Sequence, residues 1–395
     1  MWNRNVTVLW LAQLITAMGD AIYQLALIWL ILDMTGSSII TGLVAMGAYL
    51  PAMLFGLLGG VFADKYNRLN IMHLANISQS LTVLVIPLTL YYGVADAMLI
   101  GILAFIRSSF GTMFPPALNA FIPEVVNKDQ LTKVNSVIAT SSQLAYLIGP
   151  AIAGILLGVI ALNNLFIFDA FSFLISSLLL LFVVRTKAPP IIEKHATLTQ
   201  LIFGLKYIID HRSIGYLIIL TILNNIFIMG PAIVGMPILV KDVLGGTMSD
   251  FAFVEAGMAG GMLVGSLFMY KVSHQLNRGV LLLLALIWDG ITYAFFYWIP
   301  SVPTAIVMIF FHGMGIPVIT ISRTAIIQRN TPNAYHGRLF SMVHLAVVGM
   351  TAMSSALVGI LAAVMSVRYV FLVFGIGAVL SGLVGLLSAQ LRRLN

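Results

Sequence analysis

The sequence predicts an all-α integral membrane protein with twelve transmembrane helices in two pseudo-symmetric six-helix bundles. Three observations carry this prediction. Of the 395 residues, 60% are hydrophobic and only 8% charged, where a soluble domain carries about 25% charged residues. The apolar residues gather into twelve stretches, each meeting the roughly 20 residues that a bilayer-spanning helix needs. The chain also repeats itself at a shift of 205 residues.

The spans follow in order. Span one, 6–32, is too long for the apolar core of a signal peptide and holds Asp20, so it reads as a membrane helix. Span two, 38–63, contains Gly56 and Gly60, a small face that suits close approach to a neighbour. It runs into Gly60-Val-Phe-Ala-Asp64-Lys65-Tyr-Asn-Arg68, with three charges within five residues between two apolar segments. That placement marks a short loop at the membrane surface. Span three covers 71–93, and span four, 97–118, has Arg107 inside it. Span five, 133–160, carries Gly149-Pro150 near its middle. Proline removes one helix hydrogen bond and favours a kink. Small residues at 149, 153 and 154 permit tight packing there. Span six, 163–184, holds Asp169.

A linker follows. Pro189 and Pro190 begin it as a loop, then Leu198, Leu201, Ile202, Leu205, Ile208 and Ile209 recur at helical spacing, with Lys206, Asp210 and His211 opposite. This predicts a short amphipathic helix on the membrane surface, the alternative being a continuation of span seven. The remaining spans are 213–240 with Asn224 and Asn225, 250–270 with Glu255, 279–299 with Asp289, 302–322 with His312, 335–365 with His344, and 368–390. The domains are therefore 1–185, a linker 186–212, and 213–395.

Charge sets the direction. With both termini cytoplasmic, all of the 20 lysines and arginines except Lys241, Arg368 and the mid-span Arg107 fall on the inner side. An odd number of helices would scramble that sorting. The repeat is equally ordered. Ala120, Ile122, Lys133 and Ser136 fall on Ala325, Ile327, Arg338 and Ser341; Gly154-Ile155-Leu156 falls on Gly359-Ile360-Leu361, and Gly60 on Gly265. A single offset without gaps implies two halves of the same hand, with the substrate site near the midplane between them.

Composition also excludes. The net charge of +7 is spread along the chain, unlike the clustered footprint of a nucleic-acid binder. With no cysteine, disulfides, thiolate metal sites and cysteine nucleophiles are out. No phosphate-binding loop and no nucleophile–base arrangement occurs, so neither ATP hydrolysis nor an enzyme is expected, and no cofactor beyond a proton gradient as energy source.

The motifs carry a resemblance. The G-x-x-x-D-K-x-x-R spacing from Gly60 to Arg68 resembles the loop signature of the major facilitator superfamily. Arg107-Ser-Ser-Phe-Gly111 is similar to the R-x-x-x-G pattern of its proton-coupled members. Gly149-Pro150-Ala-Ile-Ala153-Gly154 is similar to the antiporter element, with Ala153 in place of one glycine and Ala145 where the pattern begins with glycine. Pro116-Ala-Leu-Asn-Ala120, Gln130-Leu-Thr-Lys133, Gly19-Asp20, Leu30-Ile-Leu-Asp-Met-Thr-Gly36 and Gly337-Arg338-Leu-Phe-Ser341 resemble the macrolide-efflux and enterobactin-exporter branch. The resemblance covers essentially the full length. It implies the major facilitator fold, export, and a bacterial inner membrane. It also implies a cytoplasmic latch at Gly60, Asp64, Lys65 and Arg68, which the second half lacks because Met269 falls where Asp64 maps. Gly149, Pro150 and Gly154 would control closure on the outer side.

Ionisable residues inside a membrane are expensive and mark function by default. Asp20, Arg107 and His312 lie mid-span; His312 is the repeat mate of Arg107, and Asn225, beside Asn224, is that of Asp20. The resemblance places these helices around one cavity, where Tyr23, Phe110, Phe114, Phe227 and Phe311 suit a bulky, partly apolar ligand. A desolvated carboxyl holds its proton more tightly and a nearby arginine loosens it. Asp20 is thus the expected proton carrier and Arg107 its modulator. The alternative is a fixed pair that only joins two helices. Glu255 is a candidate second proton or cation site. Asp169 and Asp289 are expected to make structural hydrogen bonds on peripheral helices. No residues share metal-ligand spacing, so no metal site is expected.

The expected function is export of an amphipathic drug or macrolide-like molecule by a monomer in the lipid bilayer, through alternating access and proton antiport. A siderophore or lysolipid exporter is the nearest alternative, since Arg107 with His312 would favour an anionic cargo. A metal-ion (iron) exporter is a separate class, and a non-transporting sensor or scaffold a third.

Overall fold

The computed structural model describes residues 4–126, 130–184, 205–272 and 276–394. Among these it is helical throughout, with twelve helices long and apolar enough to cross a membrane. We label them α1 (Arg4–Thr35), α2 (Ser38–Lys65), α3 (Arg68–Tyr91), α4 (Ala97–Gly111, continuing as Phe114–Val125), α5 (Leu131–Leu156) and α6 (Leu162–Leu180). The second set is α7 (Arg212–Gly230, running on to Val243), α8 (Met248–Val272), α9 (Arg278–Phe295), α10 (Val302–Asn330), α11 (Asn333–Val364) and α12 (Val367–Leu387).

The helices divide into two compact units, Met1–Gly36 with Gly47–Lys194, and Ser37–Met46 with His195–Asn395. Within the first, α1 packs on α5 and α6, and α3 on α4 and α6. Within the second, α7 packs on α11 and α12, and α9 on α10 and α12. Each pairing recurs six helices later, which is the internal repeat expressed as topology. α8 also approaches α10 closely, as α2 approaches α4 at Gly59. A Cβ on Gly257 would lie 3.1 Å from the Ile306 carbonyl, and one on Gly313 would overlap the Met258 carbonyl. Glycines thus let these backbones touch, as small residues do between membrane helices.

Several helices outrun their apolar cores. α4 reaches Val125 and α10 reaches Asn330, beyond the ends expected at 118 and 322, because Phe121, Ile122 and Val125 in one and Ile326 and Ile327 in the other continue the buried face. α7 changes to wider π turns at Pro231–Gly235 and Leu239–Val243, where Pro231 and Pro237 each remove an amide donor. The linker residues 185–204, and with them most of the expected amphipathic helix, lie outside the described residues. Its end, 205–210, is helical, with Tyr207 and Ile208 buried and Leu205, Lys206, Ile209 and Asp210 exposed.

Candidate functional site: two buried charge clusters

In the first unit, three helices meet at one guanidinium. Arg107 of α4 donates through Nη2 to Asp20 Oδ1 of α1 and, at 3.1 Å, to Asp169 Oδ2 of α6. Its guanidinium lies 3.8 Å from the centre of the Tyr23 ring and 5.2 Å from that of Phe173, so aromatic faces cover the charge where carboxylates do not. Tyr23 is held edge-on by Phe166 at 5.7 Å. Exposure grades across the cluster: the Asp169 side chain is 0% exposed, Arg107 9% and Asp20 26%. Asp20 is therefore the open edge. With both carboxylates ionised, the cluster carries one negative charge in excess. Arg107 Nε, Asp169 Oδ1 and the Tyr23 hydroxyl have no hydrogen-bond partner, so its polar capacity is not saturated.

Local sequence places Asp20 between two close helix contacts. A Cβ on Gly19 would come within 2.5 Å of Asp169 Oδ1, and one on Gly149 within 2.6 Å of Ala21 Cβ. Glycine on one flank brings α1 against α6; glycine on α5 brings it against the other flank. Pro150 lies inside α5 and Gly154 is buried. Tyr146, also on α5, lies within electrostatic reach of Asp20.

The second unit holds a smaller and fully enclosed cluster. His312 of α10 lies 3.3 Å through Nδ1 from Asp289 Oδ1 of α9 and 3.0 Å from Thr292 Oγ1. Asn224 of α7 donates to Asp289 Oδ2 at 3.4 Å. Tyr293 packs its ring 4.2 Å from the imidazole. Exposure is 1% for His312, 2% for Asp289 and 7% for Asn224.

The structure thus joins Asp20 with Arg107, and Asn224 with His312 through Asp289. Asn225, the repeat mate of Asp20, instead bonds the Thr221 carbonyl of its own helix at 2.8 Å. Glu255 is half-buried on α8 and within electrostatic reach of Tyr293. Asp169 and Asp289 are buried and hydrogen-bonded, as expected; what was not expected is that each supplies a carboxylate to the cationic or imidazole side chain of a cluster. The signal was present in the rule that intramembrane acids are costly; assigning their helices to the periphery hid it. The aromatic residues scatter. Tyr23 belongs to the first cluster. Phe110 is half-buried. Phe114 sits in the hydrophobic core with Met72 and Phe121. Phe227 packs edge-on against Phe374 at 5.9 Å, and Phe311 is 43% exposed.

The surface loop also differs in detail from expectation. Among the described residues, a Cβ on Gly56 or Gly60 would meet nothing within 4 Å. The close approach belongs to Gly59, where a Cβ would lie 2.7 Å from the Thr112 carbonyl. Helical geometry puts adjacent residues on different faces, so a one-residue error changes the contact. Lys65 is exposed and lies over the Tyr66 ring at 5.5 Å. Arg68 pairs with Glu124 at the end of α4 and bonds the Ala63 carbonyl at 3.2 Å. Asp64 falls within α2.

Comparison with known proteins adds to the geometry. A family described as transmembrane secretion effector matches residues 2–395. Macrolide efflux protein A of Streptococcus pyogenes is 26% identical over 349 residues, covering 86% of this chain and 85% of that protein. Enterobactin exporter EntS of Shigella boydii is 25% identical over 346 residues, covering 87% and 82%. The crystal structure of nucleoside transporter NupG superposes with a TM-score of 0.77 at 13% identity, covering 98% and 99% of the two chains.

Proposed function

The chain belongs to the transmembrane secretion effector family of the major facilitator superfamily and is a multi-pass membrane transporter, not an enzyme; from that premise we propose that it exports amphipathic small molecules of the macrolide class by proton antiport. Similarity to a macrolide efflux protein supports the cargo class. The setting we propose is the bacterial inner membrane, with both termini cytoplasmic, alternating access between the two sides, and the proton gradient as energy source.

One observation carries the coupling: Arg107 shared by Asp20 and Asp169. Two carboxylates on one guanidinium leave the cluster one proton short of neutrality. In a low-dielectric site that deficit is costly, and a proton or a cationic group on the cargo cancels it. Asp20, at the open edge, is the exchanging acid. Asp169, fully enclosed, accepts from Arg107 at 3.1 Å and holds it in place. Cargo and proton then compete for one carboxylate, which is the requirement for exchange.

The test is proton release from proteoliposomes under a pH gradient, across macrolides, lipophilic cations, siderophores and lysolipids. Cargo-dependent proton movement that disappears in Asp20→Asn is the expected result. Full proton-driven transport by that variant would remove Asp20 from the mechanism. Similarity to an enterobactin exporter favours one second reading, an anionic siderophore cargo. In that case the siderophore arm alone moves protons.

A further inference from the structure

Each unit opens its third helix with the same dipeptide. Asn67 caps α3, its side chain accepting from the Asn70 amide at 3.2 Å, and Asn277 caps α9, accepting from the Val280 amide at 3.0 Å. An arginine follows each cap, Arg68 in one unit and Arg278 in the other. In the first unit Arg68 has a counter-charge, Glu124, at the end of α4. The repeat mate of Glu124, 205 residues on, is Arg329 near the end of α10. Where one unit has an ion pair, the other has two arginines.

Among the described residues this exchange leaves a charge unanswered. Arg278 is 7% exposed and its Nη1 has no hydrogen-bond partner. Arg329 lies within electrostatic reach and adds a like charge. Among the described residues neither arginine forms an ion pair. The start of α9 adds the positive end of a helix dipole. The Gly279 amide is already taken by the Leu394 carbonyl at 2.9 Å, so the free donor is the guanidinium. A buried guanidinium without a counter-charge is strongly unfavourable. A buried guanidinium with an exposed one in electrostatic reach, Arg278 and Arg329, can share the oxygens of one phosphate. By the distribution of lysine and arginine, this end of the helices is the expected inner face, where anionic headgroups gather.

We propose that Arg278 and Arg329 bind a phosphate group, carried by an anionic phospholipid headgroup or by a soluble phosphate at the membrane surface. The bound phosphate takes the place that Glu124 holds in the first unit.

The test compares melting temperatures in nanodiscs of phosphatidylcholine alone, phosphatidylcholine with phosphatidylglycerol, and phosphatidylcholine with inorganic phosphate in the buffer. The full chain should melt higher with phosphatidylglycerol if the source is lipid, and higher with inorganic phosphate if it is soluble. Arg329→Glu restores the charge pattern of the first unit; it should melt higher than the parent in phosphatidylcholine alone and lose the added shift. Should that variant not fold, Arg329→Gln must lose the shift instead. No shift from either additive in the parent, or an equal shift in parent and variant, overturns the proposal.

Discussion

Position 107 of the first unit carries a guanidinium; 205 residues on, position 312 of the second carries an imidazole. Both lie inside the fourth helix of their unit, and both are met by acids from neighbouring helices. Their partners come from different places. Arg107 is met by α1 and α6 through Asp20 and Asp169, whereas His312 is met by α9 through Asp289. The first cluster has a permanent positive charge, two acids and one open edge. The second has an imidazole that can be neutral, one acid, and no open edge. The two units share their helix packing and differ in their chemistry. A permanently charged, partly open cluster suits exchange; an enclosed one that can neutralise itself suits cohesion.

The largest effect should follow loss of Arg107. Arg107→Met leaves two carboxylates facing each other without their counter-charge. Removing one partner of a buried pair costs about 3–5 kcal/mol, so we expect a large fall in melting temperature and no coupled transport. A variant that stays near the parent in stability would show that the two acids are not ionised together, and would remove the charge deficit from the argument.

Asp289→Asn should do less. The amide keeps the shape and can still accept from Asn224, so we expect a cost of about 1 kcal/mol and intact cargo-dependent proton release. Loss of coupling as complete as in Asp20→Asn would break the division between an exchanging cluster and a cohesive one.

The unequal legibility of the molecule has physical causes. The twelve spans and the repeat were readable because membrane helices must be apolar, and two copies of one design share their pattern. Asp20 and Arg107 were readable as a pair because charge inside a membrane demands a partner. Asp169 was visible as a charge but not as the third member, since which helix faces which is a tertiary fact. The mate of Asp20, Asn225, turns out to bond its own helix while Asn224 reaches the cluster. The single offset also fails locally: the capped arginines Arg68 and Arg278 stand 210 residues apart, because the surface loops differ in length. Helix interiors hold register and loops do not.

Two glycines sharpen the same comparison at smaller scale. Gly149 lies on a packed face, where an added Cβ would sit 2.6 Å from Ala21 Cβ. Gly149→Ala should push α5 off α1 beside Asp20, at a cost of about 1–3 kcal/mol, with transport falling alongside stability. Ala21→Gly in the same chain should recover part of both by vacating the space. No recovery would mean that Gly149 acts through the bend at Pro150 rather than through contact.

Gly60 is the opposite case, and its variant should show the smallest effect. Among the described residues an added Cβ there meets nothing within 4 Å. Alanine is favoured over glycine inside a helix by about 0.5–1 kcal/mol, so Gly60→Ala should leave the melting temperature unchanged or slightly raised. The informative measurement is transport. Parental transport would assign the close contact at this end of α2 to Gly59, where a Cβ would lie 2.7 Å from the Thr112 carbonyl, and reduce Gly60 to a bystander of the charged loop. Lost transport at full stability would mean that another helix approaches Gly60 only in a different conformation of the cycle. A stable but inactive alanine variant would therefore be direct support for a latch that opens and closes at this loop, since a static packing glycine cannot separate the two readouts.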